Sequence, residues 1–483
     1  MTFRLTVASV CAAVSLAWSA PLAADKPLFT TAFVPAEFSA RRARVMSAIG
    51  DGVAIISGAT ETSTYTKFRQ GASFFYLCGA EVPRAILVID GRSKASTLFL
   101  PANGGASNEG PLLSPDDEGK RLTGVDEIAE RGRFADRLKT IAADGRTIYM
   151  PFREETLGAG TTDRVQSHAR ATEQDPWDQR PTKEDVFIDK VKAVATRSDI
   201  KNLDLIVDGL RLIKSPAEVA AIREATRLAN LGILEAMKSA KPGMYEYELE
   251  AVADYIFKRH NAQGIAYFAL VATGTNAAWP HYHAAQAMLK DGDLVLMDYA
   301  PDFMYYASDV TRMFPANGKF SPRQRELYGV YAKLYQALLA SIGPGEVVPR
   351  IAKAHAEMVK IMSTFTFTDE KVKAAATRFV DGYARPRNSY GHWVGMDVHD
   401  VSPGPTDGVL KPGMVFTIEP ELTITDESIY IRMDDPVVIT ATGFDHLSAG
   451  LPMEMDEIER VMREPGLADL WKTTIFKKSP GGR

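Results

Sequence analysis

Cysteine is nearly missing from this sequence: there are two, Cys11 and Cys78, in a chain of 483 residues. So few thiols exclude a disulfide-built scaffold, and stability has to come from a packed core, which this length allows. Charge of one sign is missing as well. The 56 basic and 61 acidic residues leave a net of −5, so nothing electrostatic calls for nucleic acid or an anionic membrane as partner. Past the N-terminal stretch, no run is long and apolar enough to span a bilayer. Internal repeats and low-complexity tracts are absent too. What is there is an ordinary globular composition, 46% hydrophobic and 24% charged, in a chain long enough for two or three domains.

The N-terminus is distinctive. Arg4 is followed by the apolar "LTVASVCAAVSLAWSA" and then by small residues in "PLAADKP". That layout predicts a secretory signal peptide over residues 1–24, cleaved after Ala24, and an exported protein that is periplasmic or secreted. Cys11 follows Val10, where a lipoprotein would need a small residue. Removal of the leader would leave Cys78 alone, with no internal disulfide.

Residues 25–205 read as a mixed α/β unit. "DGVAIISG", "RAILVID", "STLFLP" and "RTIYMP" are short β-rich runs between polar and helical segments. "ANGGASNEGPLLSPDDEGKR" and "TEQDPWDQRPTKED" read as surface loops. A second unit spans residues 206–483. It starts near "LRLIKSPAEVAAIREATRLANLGILEAM", where Ser215, Pro216 and Glu218 form a capping box with proline at the first helical position. A helix over "YEYELEAVADYIFKRHNAQG" is expected to end at Gly264 in a left-handed cap, and one over "SPRQRELYGVYAKLYQALLASIGPG" to stop at Gly343. "YFALVATG", "DLVLMDYA", "ASDVTRMF", "MVFTIEPELTI" and "SIYIRMDDPVVIT" read as strands. Helices flanking mainly antiparallel strands predict an α+β domain.

Two of those strands carry aspartates, Asp298 and Asp309, although strand interiors disfavour aspartate. Their spacing suits neighbouring antiparallel strands with the carboxylates side by side, an arrangement that is costly unless a cation neutralises it. A solvated turn is the bland alternative, but both acids lie within β-type runs. "YGHWVGMDVHD" adds His392 and His399, "MVFTIEPEL" adds Glu419, and "YIRMDDPVVIT" adds Asp434 and Asp435. Each alone is more often structural. Together, in the order Asp, Asp, His, Glu, Asp, they make an oxygen-rich set that suits a pair of divalent ions such as Mn²⁺ better than a thiolate-rich zinc site.

The segment from about 208 to 465 resembles the pita-bread metallopeptidases, the family of aminopeptidase P, prolidase and methionine aminopeptidase. The resemblance rests on "DYAPDFMYYASDVTRMFP", "GHWVGMDVHDV", "GMVFTIEPEL", "IRMDDPVVIT" and the closing "HLSAGLPMEMDEIERVM". "ATGTNAAWPHYH" is similar to the family segment that carries a substrate-facing histidine, here His281. "FSARRARVM" through "RAILVID" is similar to the N-terminal domain of aminopeptidase P and creatinase. The resemblance implies a pita-bread catalytic domain behind a smaller mixed α/β domain, cleaving the bond before proline in peptides. It implies Asp298 on a first ion, Asp309 and Asp434 bridging two, and His392 and Glu419 on the second. Mn²⁺ is the implied metal, with Co²⁺ and Zn²⁺ as alternatives. A water shared by the ions would be activated, with Glu419 moving the proton. His281 and His399 would hold the scissile carbonyl, and Arg432 would support the ligand shell. A homo-oligomer, dimer or tetramer, is the implied assembly.

Three positions depart from the family pattern. Asp434 stands where glutamate is usual, one methylene shorter. Asn388 replaces a histidine four residues before His392. Glu421 and Thr423 replace a glycine and an aromatic residue. The last two changes are expected to touch the substrate pocket. The competing readings are a prolidase-type dipeptidase, a catalytically weakened pita-bread binding protein, and the metal-free creatine-hydrolysing branch. The full acid set argues against the last two.

Overall fold

The computed structural model describes residues 32–474 except 62–65, 103–112, 114 and 402–406. The expected leader, with Cys11, lies outside the described residues. Among them, no helix is long and apolar enough to cross a membrane, and Cys78 is buried and unpaired with another cysteine.

Six strands form the first sheet: β1 (Val53–Ser57), β2 (Ile86–Asp90), β3 (Ala95–Leu100), β4 (Glu127–Glu130), β5 (Ile148–Met150) and β6 (Ile200–Asn202), in the order β4-β3-β2-β1-β5-β6. The β1–β2 and β2–β3 pairs are antiparallel, the other three parallel. Continuous apolar runs such as "ILVID" follow from burial on both faces. Ala54, Ile56, Leu87, Ile89 and Leu98 point to one core, against the helix Pro35–Ile49. Val53, Ile55, Ile86, Val88 and Phe99 point to the other, against the helices Phe134–Asp144 and Lys183–Val194. β4 and β6 were not singled out in the sequence. "EIAE" and "IKN" are short polar edge strands without a clear alternation.

The first core does not stop at the sheet. It continues through Met304, Tyr305, Tyr306, Val394 and Met396 of the second unit. Tyr305 stacks on Phe75 with ring centroids 3.6 Å apart. Its hydroxyl accepts from the Gln70 N–H at 3.0 Å and donates to Glu81 at 2.8 Å.

After the helix Asp204–Leu212 comes the helix Pro216–Ser239. Its capping box forms as expected: the Glu218 N–H donates to Ser215 Oγ at 3.3 Å, and the Ser215 N–H donates to Glu218 at 2.9 Å. The next helix differs from expectation. It spans Glu246–Arg259, and Asn261, at φ 64°, takes the left-handed turn. Asparagine tolerates that conformation, and the early exit lets the Gln263 N–H donate to the Asp302 carbonyl. Gly264 instead opens the short strand β7 (Gly264–Ile265). The helix from Pro322 likewise ends at Leu339, before Gly343, because consecutive turn hydrogen bonds from Ser341 and Ile342 unwind it first.

β8 (Leu270–Thr273), β9 (Leu294–Asp298) and β11 (Thr311–Pro315) form an antiparallel sheet with β9 central, while β10 (Pro301–Asp302) pairs with β7. A minor pair joins β12 (Gly345–Glu346) and β13 (Val409–Leu410). "MVFTIEPELTI" is two strands, β14 (Val415–Ile418) and β15 (Glu421–Ile424), and "SIYIRMDDPVVIT" is β16 (Ile429–Arg432) and β17 (Asp435–Ile439). β15 pairs with β16, whereas β14 pairs with β17, which also carries β18 (Phe444–His446). Ile418 faces Asp435 and Glu421 faces Arg432, so the register runs unchanged across the break. Glu419 therefore stands across from Asp434. Pro420 has no N–H to offer, so the ladder is interrupted at the residues that must turn their acids inward.

Candidate metal centre

Thr311 sets the spacing of the acids. On one side it pairs with Asp298 in the β9–β11 ladder, and on the other it forms a bridge to Asp434. Asp298 and Asp434 are thus held in rows either side of one residue. Asp309 is not opposite Asp298, as a simple hairpin would put it. It lies two residues before Thr311, ahead of β11 and outside any strand, unlike the strand position the sequence suggested. The result is a cluster in which Asp298, Asp309 and Asp434, all buried, bring ligand oxygens within 4.8 Å of one another.

His392 and Glu419 complete it. His392 Nε2 is 3.1 Å from Asp309 Oδ2 and 3.2 Å from Glu419 Oε1. Gly391 is required behind His392, because a Cβ there would lie 2.2 Å from the Thr417 carbonyl oxygen. Arg432 Nη2 pairs with Asp298, and its Nε lies 3.1 Å from Asp434 Oδ2, where the sequence had placed a supporting charge. The Tyr267 hydroxyl donates to Asp298 at 2.5 Å, with Asp309 3.2 Å away, and the Thr311 hydroxyl donates to Asp434 Oδ2. Sequence reasoning missed Tyr267 and Thr311. Neither had a signal beyond lying in a β-rich run.

Asp435, adjacent to Asp434, does not join the cluster. Strand alternation sends it to the opposite side, fully buried among Arg312 at 2.7 Å, His446 at 3.2 Å, and the Tyr335 and Ser448 hydroxyls.

Four carboxylates facing Arg432 and His392 leave excess negative charge out of water. Burial pushes the Asp298 carboxyl up to about 7 against the opposing pull of Arg432. Burial likewise raises Asp434 and Glu419. Asp309 goes the other way, because its contact with His392 outweighs burial. His392 is lifted to about 9: burial disfavours its charge, but Glu419 and Asp309 favour it more. Asp434 Oδ1 is buried without a hydrogen-bond partner among the described residues, and His392 Nε2 has only the carboxylates of Asp309 and Glu419 within ion-pair range. An orphaned carboxylate oxygen in a buried cluster of four carboxylates and one imidazole suits a hard divalent cation. The residues fit the metal that the sequence implies.

The cluster opens into a cavity of about 450 Å³. Clefts of about 820 and 580 Å³ elsewhere hold none of these acids and histidines. His281 and His399 both line the 450 Å³ cavity, with Tyr267 and Phe268. Burial lowers both imidazoles, aided at His399 by the neighbouring His392, whose ring centroid is 3.9 Å away. His281 rides on a loop whose two ends are tied to one buried carboxylate. Glu246 accepts from the Thr273 N–H at 2.7 Å, Asn276 at 3.1 Å, the Tyr282 hydroxyl at 2.8 Å and the Ala287 N–H at 2.9 Å. Asn388, Glu421 and Thr423 are not among the cavity's lining residues, contrary to expectation. Asn388 sits in an exposed turn, and Glu421 opens β15 facing outward. The far wall comes from residues 154–168 of the first unit, a segment without a sequence signature.

Comparison with known proteins agrees with this arrangement. The model of metallopeptidase family M24 matches residues 220–441, and that of the aminopeptidase P N-terminal domain matches residues 38–149. The Xaa-Pro aminopeptidase of Escherichia coli (strain K12) is 30% identical over 453 residues, covering 88% of this chain and 97% of that protein. The aminopeptidase of Pseudomonas aeruginosa superposes with a TM-score of 0.68 at 28% identity, covering 89% of this chain and 98% of that one. Zn-substituted aminopeptidase P of E. coli in complex with product superposes with a TM-score of 0.71 at 27% identity over the same shares of the two chains. The two-unit architecture expected from the sequence is the one these structures have.

Proposed function

Since the chain belongs to metallopeptidase family M24, we propose that it is an exported Xaa-Pro aminopeptidase working with two divalent cations. The observation that carries this is the buried cluster of Asp298, Asp309 and Asp434, with Asp434 Oδ1 unpartnered and His392 against Asp309 and Glu419 beside it. The relatives from Escherichia coli and Haemophilus influenzae, 30% identical over almost their whole length, carry the name Xaa-Pro aminopeptidase.

Asp298 would hold a first cation, His392 and Glu419 a second, and Asp309 and Asp434 would be shared, with Mn²⁺ the choice that best suits four carboxylates and one imidazole. When bound, such cations supply a water acidified to near-neutral pKa and a Lewis acid for the carbonyl. The chain's own residues do the rest. Glu419, across from Asp434 and beside His392, takes and returns the proton. His281 and His399 both line the cavity; His281 holds the scissile carbonyl as its oxygen gains charge, and His399 orients the peptide group beside it. Arg432 fixes Asp298 and Asp434 relative to each other. Export is supported by the basic and apolar start of the sequence, and fractionation of the expressing cell tests it. A homo-oligomer is the assembly we expect, to be read from solution mass.

A hydrolysis screen decides the activity. Xaa-Pro oligopeptides should be cut with added Mn²⁺ or Co²⁺, and chelation should abolish cutting. Equal cleavage of proline-free peptides, or full activity in demonstrably metal-free protein, would refute the reading. Preference for Xaa-Pro dipeptides over longer chains would favour the dipeptidase alternative.

A further inference from the structure

We propose that the first unit completes the catalytic site of its own chain, with Asp163 as the positioning residue that holds His399. The inference rests on the peptidase reading above and concerns a segment that reading does not use.

The helix Thr162–Gln174 begins at the rim of the cavity, and the residues around its start form the far wall, including Leu157, Arg164, Val165 and His168. Its first turn holds the chain two residues before His399. The Thr162 hydroxyl donates to Asp397 at 2.9 Å. Asp397 is paired with Arg211, which also holds Asp400 at 2.5 Å, and all of these are buried. Between the two anchored acids, His399 Nδ1 lies 3.3 Å from Asp163 Oδ1. A third contact from the same turn crosses the cavity, with the Arg164 guanidinium 5.3 Å from the centre of the Phe268 ring.

The bland alternative is that Asp163 only favours its helix N-terminus, as first-turn acids do, and that its exposed ion pair contributes little. On stability that is the expectation, since the Asp163 side chain is 64% exposed. Orientation is a separate matter. Thr162 is fixed by a buried hydrogen bond, which anchors beside His399 the backbone that carries Asp163. An imidazole with one nitrogen engaged by a carboxylate keeps one ring orientation and one tautomer, and presents its other nitrogen in a set direction. Among the described residues, Asp163 is the one ion-pair partner of His399, and the His392 ring lies beside it, tilted by 42°. The sequence could not show this, because the partners lie 236 positions apart in two different units.

The test compares wild type with Asp163→Asn, which keeps the shape and the helix-start preference and removes the charge. With equal metal content, kcat on an Xaa-Pro oligopeptide should fall about tenfold while KM stays within about twofold, and Asp163→Glu should recover part of the loss. Independently of turnover, the ¹⁵N imidazole signals of His399, assigned by their loss in His399→Gln, should move from a single tautomer toward an average in Asp163→Asn. A kcat within twofold of wild type, or a loss of activity with unchanged His399 signals, would overturn the proposal. If wild type leaves Xaa-Pro peptides intact while the His399 signals still respond, the peptidase reading fails and the Asp163–His399 pairing stands.

Discussion

Asp434→Glu restores the residue usual in the family, and it should make this protein worse. Asp434 is 1% exposed. Its backbone is locked to Thr311 by a reciprocal pair of hydrogen bonds, each 3.2 Å. One carboxylate oxygen is held by the Thr311 hydroxyl and Arg432, and the carboxylate brings an oxygen within 4.8 Å of ligand oxygens of Asp298 and Asp309. The short side chain therefore already reaches, and the backbone behind it cannot retreat. An added methylene would push the carboxylate on the order of 1 Å farther, about twice what productive geometry tolerates. Overpacking a filled site costs about 1–3 kcal/mol. Taken up as displaced ligand oxygens, that is a loss of about 5- to 150-fold in cation affinity. Calorimetric titration of Mn²⁺ into apo wild type and apo Asp434→Glu, followed by kcat of the loaded enzymes, measures both. Weaker binding and lower kcat in the variant are expected. Tighter binding with higher activity would show that the natural site is stretched and that the reasoning from the locked backbone is wrong.

Other outcomes follow from the same geometry. Asp309→Asn should cut kcat about a hundredfold or more per folded molecule, because it removes a carboxylate charge shared in the cluster. Asp435→Asn should instead cost about 3–5 kcal/mol in urea unfolding, since it breaks a buried pair with Arg312, and should spare activity per folded molecule. In metal-free protein His392 is raised to about 9. Its stabilising contribution is therefore complete below an unfolded value of about 6.5 and fades as pH rises through 9. The stability gap between apo wild type and apo His392→Gln should shrink from pH 6 to pH 9.5. Glu246→Gln should destabilise by about 2 kcal/mol, because an amide cannot accept from all four of its donors. It should also lower kcat through the His281 loop at unchanged metal content.

The chain's chemistry was legible because it is local in sequence. Acids in β-rich runs, a histidine between glycines and Glu-Pro after an apolar strand stand out against what strands ordinarily contain, so the candidate ligands could be named before any coordinates. The capping box at Ser215 was legible for the same reason, since all its atoms lie within one helical turn. Helix ends were less so. Gly264 and Gly343 carried the right residue type, but Asn261 and the turn after Leu339 formed first, because termination depends on where the following chain must go. Strands that read as continuous were split at Glu419 and Asp434, as ladder partners in two different sheets decide where pairing stops. The consequences of distance could not be read from the sequence at all. That Thr311 sits between Asp298 and Asp434, that Asp435 turns away to Arg312, and that a helix from the first unit walls the cavity all depend on contacts across many tens to hundreds of positions. Sequence alone determined which groups are available for chemistry. Tertiary packing decided which of them meet, because burial and strand register, unlike residue type, are properties of the whole fold.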